Sequence, residues 1–511
     1  MVLVVVLIVV AMLSLAGFAF SEMMLAEHQA TAVGGQQRQA LAAAESGVEF
    51  VARWAELPPT ERDALGGWFD NPDRLRGVVV FADETGRGGQ FTVLSPADDS
   101  EAGPQYGVVD ESMRLHLAMV LSWEQQQPGA GRAALEQLPG MTVEVADSLL
   151  DWLDADNHPR ESGAEADYYT SLAAPYTPRN GLPAALEELL LVRGVSRDLL
   201  FGLDLDRNGR VDGYEAALVS AASDGQPLAA LEGMPAAGWS HFLTLVSAER
   251  NTTPEGAPRI DLNSDNLASL YVLLSRAVGE SAARYIIAYR QFGPYAGSQP
   301  ATSEAIGPLD LSRPARFRCD SVLDLVGTRV EVSFSSGRDA QVLASPFAAD
   351  PQQMSEYLPQ LLDHVTTDAA ARLVGRINVN AAPSEVLRAV PGLESSVVEE
   401  ILSKRGRPGE PPDPSRRHAT WLLAEGLVDL PTMRRLLPYL TGRGDVVRAQ
   451  VVGQLLPQGI AARVEVVIDA TVVPARQLSW KDLQSLGRGY PATILGEAWS
   501  TEMATARPTP R

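Results

Sequence analysis

The chain has 511 residues but only one cysteine, which excludes an intrachain disulfide. That residue, Cys319, follows Arg318, and a neighbouring cation can activate a thiol, but no histidine stands near it in the sequence. The six histidines are scattered and lack the HExxH spacing of metalloproteases. Walker A, GxGxxG and GxSxG motifs are missing as well. These absences predict an inert cysteine and a protein that is neither an enzyme nor a receptor for a small-molecule substrate.

Basic residues are also scarce. There are 42 Lys and Arg against 64 Asp and Glu, which gives a net charge of −22. Binding to a nucleic-acid backbone needs a positive surface, so this balance argues against a nucleic-acid partner. It suits a soluble domain outside the cytoplasm. A chain of this length, 45% hydrophobic, is long enough for two or three domains with buried cores.

Charge is missing altogether from the first 20 residues, MVLVVVLIVVAMLSLAGFAF, and proline is missing before Pro58. Twenty apolar residues in a helix span roughly the 30 Å hydrocarbon core of a membrane. A secretory signal peptide would show a basic start, a shorter apolar run and an A-x-A-like cleavage site. The sequence therefore predicts one helix over residues 1–57, with residues 1–20 as a retained membrane anchor. This layout is typical of pilin-like proteins, and an ordinary single-span anchor is the alternative.

Beyond this helix, strand and helix patterns come in blocks and predict an α/β (α+β) fold. GVVVFADE (77–84) and GQFTVLS (89–95) read as strands, and VVRAQVVGQLL with ARVEVVIDATVV reads as an antiparallel hairpin. The long middle block has helical spacing. The predicted boundaries are 58–140 for the first α/β part, 141–440 for the helical domain, 441–499 for the C-terminal strands and 500–511 for a disordered tail.

The helical block contains a weak internal repeat. One copy opens with RIDLN at residues 259–263 and the other with RINVN at 376–380, and each continues into two helices joined by a glycine-containing turn. The units, 259–290 and 376–405, are similar to helix–hairpin–helix units, which in DNA-binding proteins grip phosphates. Glu394 stands where a phosphate would approach and would repel it, so the units are predicted to be packing modules. Residues 181–200 are a candidate third copy.

The sharpest motif is DLDRNGRVDGYE at residues 204–215, which fits the calcium loop of an EF-hand. Gly209 stands at position 6, where the loop turns sharply, and Val211 at position 8 is apolar. Helical sequence flanks both sides. The residues predicted to supply oxygen ligands, Arg210 through its carbonyl, are Asp204, Asp206, Asn208, Arg210, Asp212 and Glu215. Calcium (Ca2+) is therefore the predicted cofactor.

A second acidic stretch, DWLDADNHPRESGAEADYY, covers residues 151–169. It places several hard oxygen donors within a short loop, as calcium requires. A solvated acidic turn is the alternative interpretation. The candidate ligands are Asp154, Asp156, Glu165 and Asp167.

Three of these segments carry a family resemblance. DWLDADNHPRESGAEADYY, NGLPAALEELLLVRGVSRDLL and RINVNAAPSEVLRAVPGL, in that order after an apolar N-terminus and QALAAAESGVEF, resemble the K-type minor pseudopilins of type II secretion systems. The resemblance implies a pilin-like domain with a small antiparallel sheet and a large inserted helical domain. It also implies bound calcium, which maps onto the acidic loop of residues 151–169. The loop 204–215 is then an additional feature.

The resemblance further implies a place at the tip of a periplasmic pseudopilus, anchored in the bacterial inner membrane by a single span. Its implied partners are the I- and J-type minor pseudopilins and the secretion machinery. Two other functions stay open from the sequence. They are a minor pilin of a type IV pilus or competence system, and a membrane-tethered DNA-binding protein that uses the helix–hairpin–helix-like units.

Overall fold

The computed structural model describes residues 2–84, 87–96, 103–222, 237–303, 309–333, 340–406, 413–457 and 459–496. The predicted tail, residues 500–511, lies outside these ranges. The α-helices, in chain order, are α1 (Val2–Glu56), α2 (Pro59–Ala64), α3 (Pro72–Leu75), α4 (Leu117–Gln126), α5 (Ala130–Leu135), α6 (Val143–Leu153), α7 (Ala166–Thr170), α8 (Arg197–Phe201), α9 (Gly213–Ala222), α10 (Leu267–Ala277), α11 (Glu280–Phe292), α12 (Pro351–His364), α13 (Ser384–Arg388), α14 (Ser395–Lys404), α15 (Trp421–Ala424) and α16 (Leu430–Leu436).

The strands fall into one large sheet and several two-stranded pairs. In chain order they are β1 (Val78–Ala82), β2 (Gly88–Leu94), β3 (Val109–Asp110), β4 (Leu115–His116), β5 (Leu243–Thr244), β6 (Ala248–Arg250), β7 (Ile260–Asp261), β8 (Arg329–Val332), β9 (Gln341–Ala344), β10 (Val365–Thr366), β11 (Arg372–Val374), β12 (Ile377–Asn378), β13 (Leu440–Thr441), β14 (Val446–Leu456), β15 (Ile460–Asp469) and β16 (Arg476–Asp482).

Helix α1 is continuous over almost the whole predicted range, and its two parts meet different surroundings. Residues 2–33 are exposed, and within the described part of the chain α1 alone is long and apolar enough to cross a membrane. The later part turns an apolar stripe inward, in which residues three or four apart share one face. The stripe comprises Ala40, Ala43, Ala44, Gly47, Val48, Val51, Trp54 and Ala55. An exposed apolar segment and a core helix are thus one continuous element.

The stripe packs on an antiparallel sheet in the order β1-β2-β14-β15-β16, with β3 paired to β14 beside this path. The predicted hairpin is β14 and β15, whose register pairs Val451 with Val464. The chain leaves the sheet after β3 and returns at β14, so the long helical part is an excursion between two neighbouring strands. The mixed helix-and-sheet class predicted from the sequence is confirmed.

The two faces of the β14–β15 hairpin differ in chemistry. Residues such as Val451 and Val464 face α1 and join its apolar core. The alternate residues on the opposite face are polar yet still buried, among them Gln450 and Arg463. A buried polar face needs hydrogen-bond partners, and the helical part supplies them, as described for the metal centres below.

The helical part has its own core, which runs from Leu115 to Leu440 in the sequence and is separate from the core beneath α1. It therefore extends to the N-terminal side of the predicted boundary at residue 141. Three short parallel strand pairs tie it together within the described residues: β4 with β5, β7 with β10, and β12 with β13. Each pair joins chain segments that are far apart in sequence.

The internal repeat corresponds to these pairs. The segments RIDLN and RINVN contain β7 and β12, and each leads into a pair of helices, α10 with α11 and α13 with α14. The segment RLHL at residues 114–117 contains β4 and opens the third pair. The candidate third copy at 181–200 instead holds a 3-10 helix (Leu186–Leu191) followed by α8.

Buried charges hold the junction where the chain passes from the sheet into the helical part. Glu111 is fully buried; it accepts hydrogen bonds from Arg114 and from Nε of Arg448, the latter at 2.8 Å. On the return path, the buried Asp445 accepts from Nη2 of Arg62 at 3.1 Å. Buried ions with matched partners define one geometry, because any displacement leaves a charge without compensation.

Cys319 is packed in the helical core with 1% of its surface exposed. Burial raises the pKa of its thiol to about 12, so the reactive thiolate is scarce at neutral pH. We expect Ellman's reagent to leave the native protein unlabelled and to label one thiol per chain after denaturation in guanidinium chloride. Stoichiometric labelling of the native protein within minutes would contradict this burial.

Candidate metal centres

The loop of residues 204–215 joins α8 to α9, and Glu215 lies in the first turn of α9. Asp204, Asp206 and Glu215 each direct a carboxylate oxygen to one place, and these three oxygens lie within 4.8 Å of one another. All three residues are buried. The structure therefore brings together the ligands predicted at positions 1, 3 and 12 of the EF-hand loop.

Backbone amides hold these carboxylates in place. Asp204 accepts from the amides of Asn208 and Gly209 at 3.0 and 2.7 Å. Glu215 Oε1 accepts from the amides of Leu205 and Asp206 at 2.7 and 3.0 Å. Gly209 has a φ of +87°, a conformation that glycine adopts without strain, as position 6 requires. The loop is thus closed around its acidic centre by its own backbone.

Of the other predicted ligands, Asp212 is not among the three converging carboxylates. Asn208 Oδ1 accepts from the amide of Arg210 at 2.8 Å, while its Nδ2 donates to Asp212 Oδ2 at 3.0 Å. Asp212 is therefore held by Asn208. This places Asp212 where an EF-hand uses a water-mediated ligand.

The charge of the three acids is poorly compensated. No ion pair joins Asp204, Asp206 or Glu215 to a lysine or arginine within the described ranges. Burial is the main reason that the pKa of Asp204 rises to about 7, and repulsion from Asp206 adds to it. A buried group of like charges favours either protons or a cation, and a divalent cation would relieve all three acids at once.

The same loop is attached to the polar face of the sheet. The backbone carbonyls of residues 206–208 accept hydrogen bonds, in order, from Arg463 of β15, Gln450 of β14 and the hydroxyl of Tyr490. Asn208 Nδ2 also donates to the carbonyl of Gly489 at 2.7 Å. These contacts give Arg463, Gln450 and Tyr490 hydrogen-bond partners, as buried polar groups require, although Arg463 Nε has none among the described residues. The loop therefore joins the helical part to the sheet directly.

The second acidic loop lies between α6 and α7. Asp154, Asp156 and Glu165 each place a carboxylate oxygen within 4.8 Å of the others. Glu165 is only 3% exposed, and neither of its oxygens has a hydrogen-bond partner in the part of the chain that the structure describes. Burial and then the charges of Asp151, Asp154 and Asp156 raise the pKa of Glu165 to about 7. An unpartnered buried carboxyl group aimed at two other acids is the arrangement that a hard cation satisfies.

Asp167, which the sequence analysis included among the ligands, is exposed and lies outside this cluster. It occupies the first turn of α7, whereas Glu165 immediately precedes that helix. The turn into the helix therefore separates two acids that are close in sequence. The prediction for Asp167 is corrected on this ground.

Sequence reasoning missed two neighbours of the cluster. Asp151 is fully buried on α6, one helical turn before the loop, and Arg160 Nη1 donates to Asp151 Oδ1 and Asp154 Oδ2 at 2.5 and 2.7 Å. The signal was present, because Asp147, Asp151 and Asp154 follow the spacing i, i+4, i+7 of one helix face. Acids at that spacing on a helix that is otherwise mostly apolar indicate a charged site along one side of the helix.

A long N-terminal helix whose later part packs on an antiparallel sheet, with a helical excursion that bears two acidic loops, defines a mixed α/β protein. Comparison with known proteins narrows this class. Residues 125–204 match the family model of the first domain of type II secretion system (T2SS) protein K. Within residues 125–204, the resemblance to protein K that the sequence predicts is confirmed.

A curated relative and a solved structure are similar to this chain. Type II secretion system protein K of Pectobacterium carotovorum subsp. carotovorum is 40% identical over 55 residues, which are 11% of this chain and 17% of that protein's length. The crystal structure of the GspK-GspI-GspJ complex of the enterotoxigenic Escherichia coli type 2 secretion system aligns over 88% of this chain and 98% of the other, with 11% identity and a TM-score of 0.37.

The matched domain contains the loop with Asp154, Asp156 and Glu165 in full. It ends at residue 204, where the EF-hand-like loop begins. One acidic loop therefore lies inside the segment that matches the family model, and the other lies just beyond that segment.

Proposed function

We propose that this chain is a minor pseudopilin of a type II secretion system, which acts in filament assembly and protein secretion by binding the I- and J-type minor pseudopilins. The observation that carries the proposal is the match of residues 125–204 to the protein K model. The mechanism is association rather than catalysis. In support, the described residues offer a helix, a sheet edge and a helical surface for contacts between subunits.

We infer an inner-membrane location with the domain after α1 in the periplasm. Residues 2–33 of α1 are exposed and the first 20 residues are uncharged and apolar, while its later stripe is buried against the sheet. One rigid helix would therefore hold the folded domain at a fixed distance from the membrane. The same exposed segment is available to pack against the corresponding helices of neighbouring subunits in a filament.

We further propose that both acidic loops bind calcium and that calcium stabilises the protein. The support is the convergence of carboxylates in each loop. Asp204, Asp206 and Glu215 would be ligands in one loop and Asp154, Asp156 and Glu165 in the other. Hard oxygen donors suit calcium, and a site with three carboxylates can bind it at the concentrations found outside the cytoplasm.

The helix pairs α10–α11 and α13–α14 serve, in this proposal, as packing modules of the helix–hairpin–helix kind. Glu394 supports this, because it is exposed at the turn before α14, where it would repel a phosphate. No specific observation favours the DNA-binding alternative or a type IV pilus.

Deletion of this gene in its own host tests the proposed role. We expect secretion through the type II system to stop and to return when the gene is supplied on a plasmid. Secretion that continues unchanged in the deletion strain, with pilus-dependent twitching or DNA uptake lost instead, would move the function to a type IV system.

Glu215→Gln should remove one calcium ion per chain or weaken its binding at least tenfold, because the bidentate position 12 ligand loses its charge. Isothermal titration of the full chain in detergent gives the number of ions and their affinity. Glu280→Gln, which changes an exposed acid at the start of α11, is the matched control and should leave both unchanged. The same stoichiometry and affinity in Glu215→Gln and wild type would contradict a site in this loop.

A further inference from the structure

Arg160 stands among the acids of the 154–165 loop. Its Nη1 bridges Asp151 Oδ1 and Asp154 Oδ2 at 2.5 and 2.7 Å, and its backbone amide donates to Asp151 Oδ2 at 3.2 Å. The arginine is part of the same loop as the acids, so it reaches them without any other element moving. One oxygen of Asp154 is thereby paired with an internal cation.

Asp156 Oδ1 accepts from the amide of His158 at 2.8 Å, whereas the remaining oxygens of Asp154 and Glu165 have no partner among the described residues. These oxygens, Asp154 Oδ1 and both oxygens of Glu165, are buried. Glu165 is 3% exposed, so solvent water does not supply the missing hydrogen bonds. Burying a polar group without a hydrogen bond is costly in free energy. Arg160 thus pairs with one oxygen of Asp154, while the other oxygen of Asp154 and the carboxyl group of Glu165 have no partner among the described residues.

The loop of residues 204–215 is built differently. Its carboxylates are held by backbone amides, as at Asp204 and Glu215, and within the described ranges no arginine or lysine forms an ion pair with them. A cation that enters this loop breaks no ion pair among the described residues, because the nearby Arg463 donates to the backbone carbonyl of Asp206 and not to its carboxylate. A cation that enters the other loop must share Asp154 with Arg160 or take it from that residue.

We propose that Arg160 is a built-in counter-ion that competes with the bound cation for Asp154 and thereby keeps the calcium affinity of the 154–165 loop below that of the 204–215 loop. This inference rests on the proposed calcium binding. Asp151 gives Arg160 a second partner, so the guanidinium group stays paired when Asp154 turns to the metal. The loop therefore stays folded in both states, and calcium exchanges at a preformed site.

The test is the substitution Arg160→Gln, measured by calcium titration of the full chain in detergent. Removing a positive charge that touches a ligand should tighten binding at this loop about tenfold, since like charges close together oppose each other. Arg160→Lys, which keeps the charge, should stay near the wild-type affinity. Arg193→Gln is the matched control, because Arg193 lies beside the loop and donates to the carbonyl of Gly163 without contacting a carboxylate.

A second readout separates competition from simple support of the fold. In chelator, Arg160→Gln should melt at a lower temperature than wild type, because Asp151 and Asp154 then repel each other, and calcium should raise its melting temperature more than that of wild type. Glu165→Gln identifies the site, since it should remove the ion bound there. Weaker or unchanged calcium binding in Arg160→Gln, or an equal gain in Arg193→Gln, would overturn the competition.

The possible results distinguish the proposed calcium binding from the proposed role of Arg160. If wild type and Glu165→Gln bind the same number of ions, the 154–165 loop of the wild type takes no calcium and that part of the proposed function fails. In that case a new ion in Arg160→Gln would still support competition, and the absence of one would overturn it. If Glu165→Gln loses an ion while Arg160→Gln matches wild type, only the role of Arg160 is wrong.

Discussion

Replacing Glu111 with alanine should destabilise the protein by about 3–5 kcal/mol, the loss expected when one partner of a buried ion pair is removed. Glu111 is fully buried and accepts from Arg114, Arg448 and the hydroxyl of Thr244. The substitution leaves two guanidinium groups without this anion at the junction of the sheet and the helical part. Denaturant unfolding in detergent, followed by tryptophan fluorescence, measures the loss.

A surface ion pair provides the control. Glu49 pairs with Arg53 on the exposed side of α1 at 2.8 Å, and Glu49→Ala should change the free energy of unfolding by at most about 0.5 kcal/mol. Equal effects of the two substitutions would contradict a structural role for the buried charges at the junction.

The same residue predicts a dependence on pH. Burial alone would raise the pKa of Glu111, but Arg114 and Arg448 outweigh it and hold the pKa at about 2. Because this pKa lies below the ordinary glutamate value of about 4.3, Glu111 contributes its stability above that value and loses it as the pH falls toward 2. This part of the acid sensitivity should be missing from Glu111→Ala.

Gly453→Ala should destabilise the packing of α1 on the sheet by about 3 kcal/mol, the upper part of the range for overpacking a core. A Cβ atom at Gly453 would lie 2.0 Å from the carbonyl oxygen of Ala40 and 2.4 Å from the nitrogen of Ala44. Both are backbone atoms of a helix, so neither can move aside alone. The helix would have to lift from the sheet.

Gly35→Ala is the matched control for this prediction, because it adds the same methyl group to α1 itself. A Cβ atom at Gly35 would meet nothing within 4 Å, and alanine favours a helix by roughly 0.5–1 kcal/mol over glycine. We expect unchanged or slightly higher stability by the same denaturant assay. A Gly453→Ala protein as stable as wild type would show that α1 does not approach the sheet this closely.

The elements that the sequence predicted well are those whose signal is local. Helix α1 has an uninterrupted helical pattern up to Pro58, and the β14–β15 hairpin has alternating β-branched residues. In the loop of residues 204–215, spacing within twelve residues also brings Asp204, Asp206 and Glu215 together, and calcium binding there stays a prediction. In these cases the neighbouring residues along the chain determine the conformation.

The features that escaped prediction depend on distant partners. The hairpin pattern gives no sign that Gln450 and Arg463 are buried; they are buried because the 204–215 loop covers them. The parallel pair β4–β5 joins segments whose closing strand has no recognisable pattern of its own. Periodicity gives the face of a strand or helix but not what comes to lie on it.

In the acidic loops, one part of the arrangement follows from the local sequence and another part depends on the fold. Glu165 and Asp167 look equivalent in the sequence, and only the start of α7 between them decides that one is buried and the other exposed. Arg160 reads as one more charged loop residue, whereas the fold places it on Asp151 and Asp154. Composition indicated a cation site, but only the fold shows which acids come together there.

The packing of α1 also decides which protein should be used for assembly experiments. A fragment that begins at residue 58 would remove Val48, Val51 and Trp54 from the core beneath the sheet. Loss of that much buried apolar surface would unfold the sheet for reasons unrelated to assembly. The full chain in detergent is therefore the appropriate material.

The central claim is association with other minor pseudopilins, and the most direct test is co-elution. The full chain would be mixed in detergent with the I- and J-type pseudopilins encoded beside its gene and run on a size-exclusion column, first with calcium and then with chelator. We predict one complex of all three chains that is stable in calcium and weaker in chelator. Separate elution of the folded proteins in both conditions would contradict the proposed function.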